Sequence, residues 1–135
     1  MSGIEWRCLT FDQLSAAELY AVLHLRSEVF VVEQACVFQD MDGADAQALH
    51  LMGNLQGQLV AYARCLDAGC KFVEASIGRV ASRKALRGSG AGHALMKQAI
   101  ACLFQTWGTQ AIRIGAQAHL EAFYGQHDFH KAGPV

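Results

Sequence analysis

The residues best suited to chemistry stand in one run, Arg87-Gly88-Ser89-Gly90-Ala91-Gly92. Its three glycines let a backbone turn sharply with N–H groups facing outward. The run lies between an apolar stretch that reads as a strand and one with helical apolar spacing, so it opens a helix. The unpaired N–H groups of a helix start, aided by the helix dipole, make an anion site. Arg83, Lys84 and Arg87 surround it with positive charge, and together these features suit a diphosphate. Two rival phosphate motifs fail. A P-loop ends in Gly-Lys-Ser/Thr, but His93 and Ala94 follow Gly92. A dinucleotide fingerprint needs a glycine at 93 or 95, where His93 and Leu95 stand. A bare structural turn is the plain alternative.

The other candidates are single side chains. Glu33 lies close to Val31, Val32 and Phe38. Partial desolvation there raises a carboxylate's pKa toward general-base duty, so Glu33 is the first candidate base and Glu74 the second. Arg26 and Glu28 read as a solvated or structural ion pair. Asp40, Asp42 and Asp45 share a loop with Gly43. Counted from Asp40 as an EF-hand, that loop has Asp45 where glycine belongs and Leu51 where Glu belongs, which argues against calcium. It reads as a solvated loop, or as a patch that attracts a cationic acceptor. The six histidines form no pair at metal-ligand spacing, so no metal is expected. Cysteines stand at 8, 36, 65, 70 and 102 without zinc or thioredoxin spacing, and read as reduced, mostly buried thiols.

The elements that must position these groups follow from periodicity. Ile4 to Phe11 reads as a strand. Ser15 with Glu18 forms a capping box for a helix from Ala16 to Val29. Phe30 to Phe38 suggests a second short helix. Ala48 to Asn54 and Gln58 to Leu66 pair as a hairpin about Gln56-Gly57. Phe72 to Ser82 is a strand with a bulge near Gly78. Gly90 to Thr106 is an amphipathic helix, with Leu95, Ala99 and Leu103 beside Met96 and Ile100. Ala111 to Ala116 is a short buried strand, and His119 to His127 a last helix. The order predicts an α/β domain with one mixed sheet.

The 135 residues are the size of one domain, with 53% hydrophobic residues and a net charge of -1. That charge gives no electrostatic case for nucleic acid. No apolar run reaches a membrane span, and the first residues carry no leader signature. The expectation is a soluble, cytoplasmic protein with no membrane partner.

The pattern R-x-x-G-x-G at Arg87, Gly90 and Gly92 resembles the pyrophosphate motif of the GNAT superfamily of N-acetyltransferases. Downstream, Ile112-Arg113-Ile114, Phe123-Tyr124 and Phe129 resemble that family's second signature, with Gln117, Leu120 and Asp128 at positions usually held by Asn, Ala and Gly. Arg26-Ser27-Glu28-Val29-Phe30-Val31-Val32-Glu33-Gln34 and Ile77-Gly78-Arg79-Val80 resemble its ElaA-like branch. The resemblance implies a GNAT-like mixed β-sheet flanked by helices and a single acyl-CoA N-acyltransferase domain over 1–135. Such proteins continue into a final strand, so the sheet is expected to lack its C-terminal strand, missing or truncated.

The implied reaction moves an acetyl group from acetyl-CoA to an amine, either a small cationic molecule or a protein lysine or N-terminus. Val80, Ala81 and Ser82 would pair with the pantetheine arm. Arg87, Gly88, Ser89, Gly90, Ala91 and Gly92 would hold the diphosphate. Glu33 would take the amine proton, and Tyr124 would protonate the leaving thiolate. Asp128 would take a left-handed backbone. A small-molecule or peptide amine is the implied partner, and a homodimer is admitted. Two other classes stay open: a non-catalytic acyl-CoA-binding regulatory domain, and an acyl-homoserine-lactone synthase-like enzyme.

Overall fold

The computed structural model describes residues 3–114. The elements are β1 (Ile4–Thr10), α1 (Ala16–Arg26), β2 (Leu49–Leu55), β3 (Gln58–Leu66), β4 (Ala75–Ser82), α2 (Ala91–Trp107) and β5 (Ile112–Ile114). The five strands form one sheet in the order β1-β2-β3-β4-β5. The first three pairings are antiparallel and β4–β5 is parallel, so the sheet is mixed as expected. The capping box starts α1: Glu18 N–H donates to Ser15 Oγ at 3.1 Å and Ser15 N–H to Glu18 Oε1 at 2.8 Å. Beyond Arg26 the chain does not begin a separate helix. It widens into a π-helical segment, Ser27–Glu33. Gln56 and Gly57, with φ 52° and 81°, close the β2–β3 hairpin as a primed turn requires.

Strand alternation sends one set of side chains to each helix. Leu49, Leu51, Ala61, Ala63, Cys65, Ala75 and Ile77 pack with Leu95, Met96, Ala99 and Leu103 of α2. Met52, Leu59, Tyr62 and Ala81 pack with Val22, Leu25 and Val29 on the α1 side. Ile77 and Ala81 would share a face in a regular strand. They lie on opposite faces because β4 carries one extra residue. Tyr62 pairs with Ala81 and Arg64 with Gly78, so Arg79 and Val80 together oppose Ala63. The bulge expected near Gly78 is therefore at 79–80, and Arg79 has a φ of 50°.

Cys8 and Cys102 depart from the expectation of reduced thiols. They are joined as a disulfide between β1 and α2, with Cα atoms 6.3 Å apart. A separation of 94 residues gives no local signal for such a pair. Cys36 and Cys70 are exposed, not buried, while Cys65 is buried and its thiol is pushed up to about 12 by that burial. No helix among the described residues is long and apolar enough to cross a membrane. Tyr124, Asp128, the strand beyond 114 and the helix from His119 to His127 lie outside the described residues.

Candidate active site

The glycine run forms as its composition dictates. Gly88 and Gly90 have φ of 85° and 89°, which side-chain-bearing residues rarely adopt. Gly90 is the residue before the first turn of α2. A Cβ added at Gly88 or Gly90 would meet nothing within 4 Å, so open space lies outside the loop. The first-turn N–H groups of Ala91 and Gly92 have no partner within the helix. Ser89 turns inward, its hydroxyl donating to Leu86 O at 2.5 Å. Ala91 is buried, 1% exposed, so its side chain offers nothing to a ligand. Not all the nearby charge faces the loop. Arg83 is committed to β3, donating from Nε to Leu59 O at 3.0 Å. Lys84 and Arg87 are exposed.

Val80, Ala81 and Ser82 end β4, and Arg83 with the short turn Lys84–Leu86 leads from there to this loop. On one side Ala81 and Ser82 pair with Tyr62 and Ala61 of β3. On the other, among the described residues, β5 pairs only with Ala75, Ser76 and Ile77. The backbone beyond the bulge therefore has no strand beside it there, and an extended ligand could pair with it.

Glu33 differs from its expected environment. It is exposed at the end of the π-helical segment, and Val32 beside it is 71% exposed. Its carboxylate pairs with Arg87 at 2.7 Å. Arg87 also donates from Nη2 to Ser82 O at 2.8 Å. One guanidinium thus links the glycine run, the end of β4 and Glu33. Glu74 is on the far side, 3.5 Å from Arg113 of β5.

The acidic loop is only partly solvated: Met41, Asp42 and Gly43 are exposed, Asp40 is buried, and all three carboxylates are paired. Arg26, fully buried, pairs from Nε with Asp40 Oδ2 and from Nη1 with Asp45 Oδ1, both at 2.8 Å. It is not a partner of Glu28, as its sequence neighbourhood suggested. Arg64 forks onto Asp42 with two bonds of 2.8 Å and reaches Asp45 at 3.0 Å. Arg79 donates from Nε to Asp40 Oδ1 at 2.9 Å and from Nη2 to Asp40 O at 2.8 Å. Lys71 adds a bond to Asp42 at 3.2 Å. The hydrogen bonds from Arg64 hold the Asp42 carboxyl well below the usual range. Burial alone would raise Asp45, but Arg26 and Arg64 hold it low.

His50 and Tyr62 extend the cluster inward. His50 Nε2 lies 2.9 Å from Asp45 O, a carbonyl that can only accept, so Nε2 carries the proton. Nδ1 of the neutral ring then accepts from the Tyr62 hydroxyl at 2.6 Å. Burial pushes His50 down and Tyr62 up, keeping both uncharged. Sequence reasoning missed this network because most of its partners are 12 or more residues apart, the His50–Asp45 contact being the exception at five. Its one local trace was polar His50 and Arg64 within otherwise apolar strands.

The model of the acetyltransferase (GNAT) domain family matches residues 12–135. Protein ElaA of Escherichia coli is 42% identical over 128 residues, 93% of this chain and 84% of that protein. A crystal structure of an acyl-CoA N-acyltransferase from Pseudomonas aeruginosa superposes with a TM-score of 0.88 at 44% identity, covering 93% of this chain and 88% of that one. The crystal structure of Escherichia coli ElaA gives 0.87 at 42%, covering 92% and 85%. A Clostridium acetobutylicum protein, described as a predicted acetyltransferase and solved with acetyl-CoA, shares the fold at 10% identity, with a TM-score of 0.68 over 96% of this chain and 91% of that one.

Proposed function

This chain belongs to the GNAT acetyltransferase family and is an N-acetyltransferase of that type, and on that premise we propose that it moves an acetyl group from acetyl-CoA to an amine. The observation that carries the choice of donor is the open glycine run at the start of α2, a short turn after the end of β4, which among the described residues has only β3 beside it. Acetyl-CoA supplies the activated acyl group. Gly88, Gly90 and the N–H groups of Ala91 and Gly92 hold its diphosphate, with Arg87 as counter-charge. Ser89 contributes backbone, since its hydroxyl is spent within the loop. Val80, Ala81 and Ser82 present backbone to the pantetheine arm, and their N–H groups polarise the thioester carbonyl.

Glu33 is the base in this reading. A diphosphate competes with its carboxylate for Arg87, and the released carboxylate takes the amine proton. Tyr124 protonates the leaving thiolate, a role it takes from the family resemblance. The acceptor is a small-molecule or peptide amine. Its preference for positive charge does not rest on Asp40, Asp42 and Asp45, whose charges Arg26, Arg64 and Arg79 already balance. A panel of polyamines, amino sugars, peptides and anionic amino acids, read by thioester cleavage, tests the reaction. No acceptor-dependent cleavage with any of them favours the non-catalytic alternative. Tyr124→Phe should lower kcat by roughly 100-fold with little change in KM. An unchanged kcat would leave the tyrosine a packing residue.

A further inference from the structure

The bulge in β4 lies between the part of the strand that pairs with β5 and the part assigned to the donor. It turns on Arg79, a residue with a side chain and a φ of 50°. The left-handed region costs a residue with a Cβ on the order of 1 kcal/mol, so something must hold it there. Gly78 beside it takes no positive φ, so the strand's glycine does not supply the turn. The Arg79 side chain does have anchors. Its guanidinium bonds twice to Asp40, once to the carboxylate and once to the carbonyl. It lies 5.8 Å from the Phe38 ring centroid. Asp40 is 4% exposed and is fixed from behind by fully buried Arg26. The anchor therefore runs from α1 through Asp40 to the bulge.

We propose that Arg79 is a positioning residue for the donor: its forked contact with Asp40 holds the left-handed backbone that aims Val80–Ser82 at the pantetheine arm. This rests on the donor site assigned above. It explains why a solvent-adjacent loop carries a buried carboxylate. Asp40 fixes a backbone angle two elements away, and attracts no substrate.

The test separates the two halves of the donor. Acetyl-CoA needs both the glycine run and the end of β4. Adenosine 3′-phosphate 5′-diphosphate, the nucleotide half without pantetheine, needs only the glycine run. Arg79→Gly removes the anchor while favouring positive φ, so it distinguishes side-chain anchoring from backbone preference. Calorimetry should show acetyl-CoA weakened about tenfold and the nucleotide held within about twofold. Arg79→Lys keeps the charge but loses the fork. It should give the same pattern with a smaller loss, and decides the matter alone if Arg79→Gly does not fold. Wild-type acetyl-CoA affinity in the folded variants would overturn the proposal, as would equal losses for both ligands. A wild-type protein that binds neither ligand would remove the donor site itself, and this inference with it.

Discussion

Two loops of similar length hold the groups weighed above for chemistry, and they are built on opposite plans. The run 87–92 is open. Gly88 and Gly90 face empty space and its polar groups are mainly backbone. The run 40–45 is closed. Its three carboxylates are taken by three arginines from α1, β3 and β4. Glycines and an exposed arginine leave the first ready to receive an anion. The second has its charges satisfied from within, and it fixes where other elements lie. Counting charged residues in the sequence ranks the acidic loop as the more reactive of the two, and pairing reverses that order.

The sharpest way to break this contrast is at Arg26. Arg26→Met leaves Asp40 and Asp45 short of a buried partner. Denaturant melts should show a loss of about 3–5 kcal/mol, as breaking a buried ion pair does. A loss under about 1 kcal/mol would return the acidic loop to the solvated class. The next largest effect belongs to the open side. Glu33→Gln should lower kcat roughly 100-fold. A change confined to the affinity for CoA would instead make Glu33 only a partner of Arg87. Gly90→Glu places a carboxylate in the open space at a left-handed position, and CoA affinity should fall at least about tenfold, or ~1.4 kcal/mol. Unchanged affinity in a folded variant would deny the open loop its ligand.

The smallest effect is a pH profile. Asp42 and Asp45 are held below 3.8, and His50 is held below 6.5. Each binds its proton more readily in the unfolded chain, so stability is full above these values and falls as pH drops. The decline begins near 6.5 with His50 and continues below 3.8 with the aspartates. His50→Gln should flatten the part of the profile that begins near 6.5 and lies above the aspartates' range. Superimposable profiles would show that His50 is not a buried neutral ring.

The open loop was legible in the sequence because its information is local. Glycine at 88 and 90 states the backbone angles, and Ala91 onward states the helix. The hairpin at Gln56-Gly57 and the capping box at Ser15 were legible for the same reason. The acidic loop was not, because a carboxylate's environment depends on residues 19 to 39 positions away, such as Arg64 and Arg79. Glu33 shows the same limit, since Val31 and Val32 promised an apolar shell that the widened turn at Ser27–Glu33 does not provide. The bulge in β4 was placed within two residues, but the residue that turns there is Arg79 and not the glycine.

Among the described residues, neighbours in the sheet are consecutive in the chain. The ribosome therefore delivers the strands in the order in which they lie side by side, and each new strand meets its partner at the growing edge. The costly closure comes first, when β2 returns to β1 across the stretch that holds the acidic loop. Of the partners of Asp40, Arg26 precedes it in the chain and Arg79 comes only with β4; Arg64, the partner of Asp42 and Asp45, comes with β3. The three arginines that pair the carboxylates are therefore supplied in chain order, Arg26 before Arg64 before Arg79. The open loop and α2 follow all three in the chain, so the closed loop has every partner made before the open one exists.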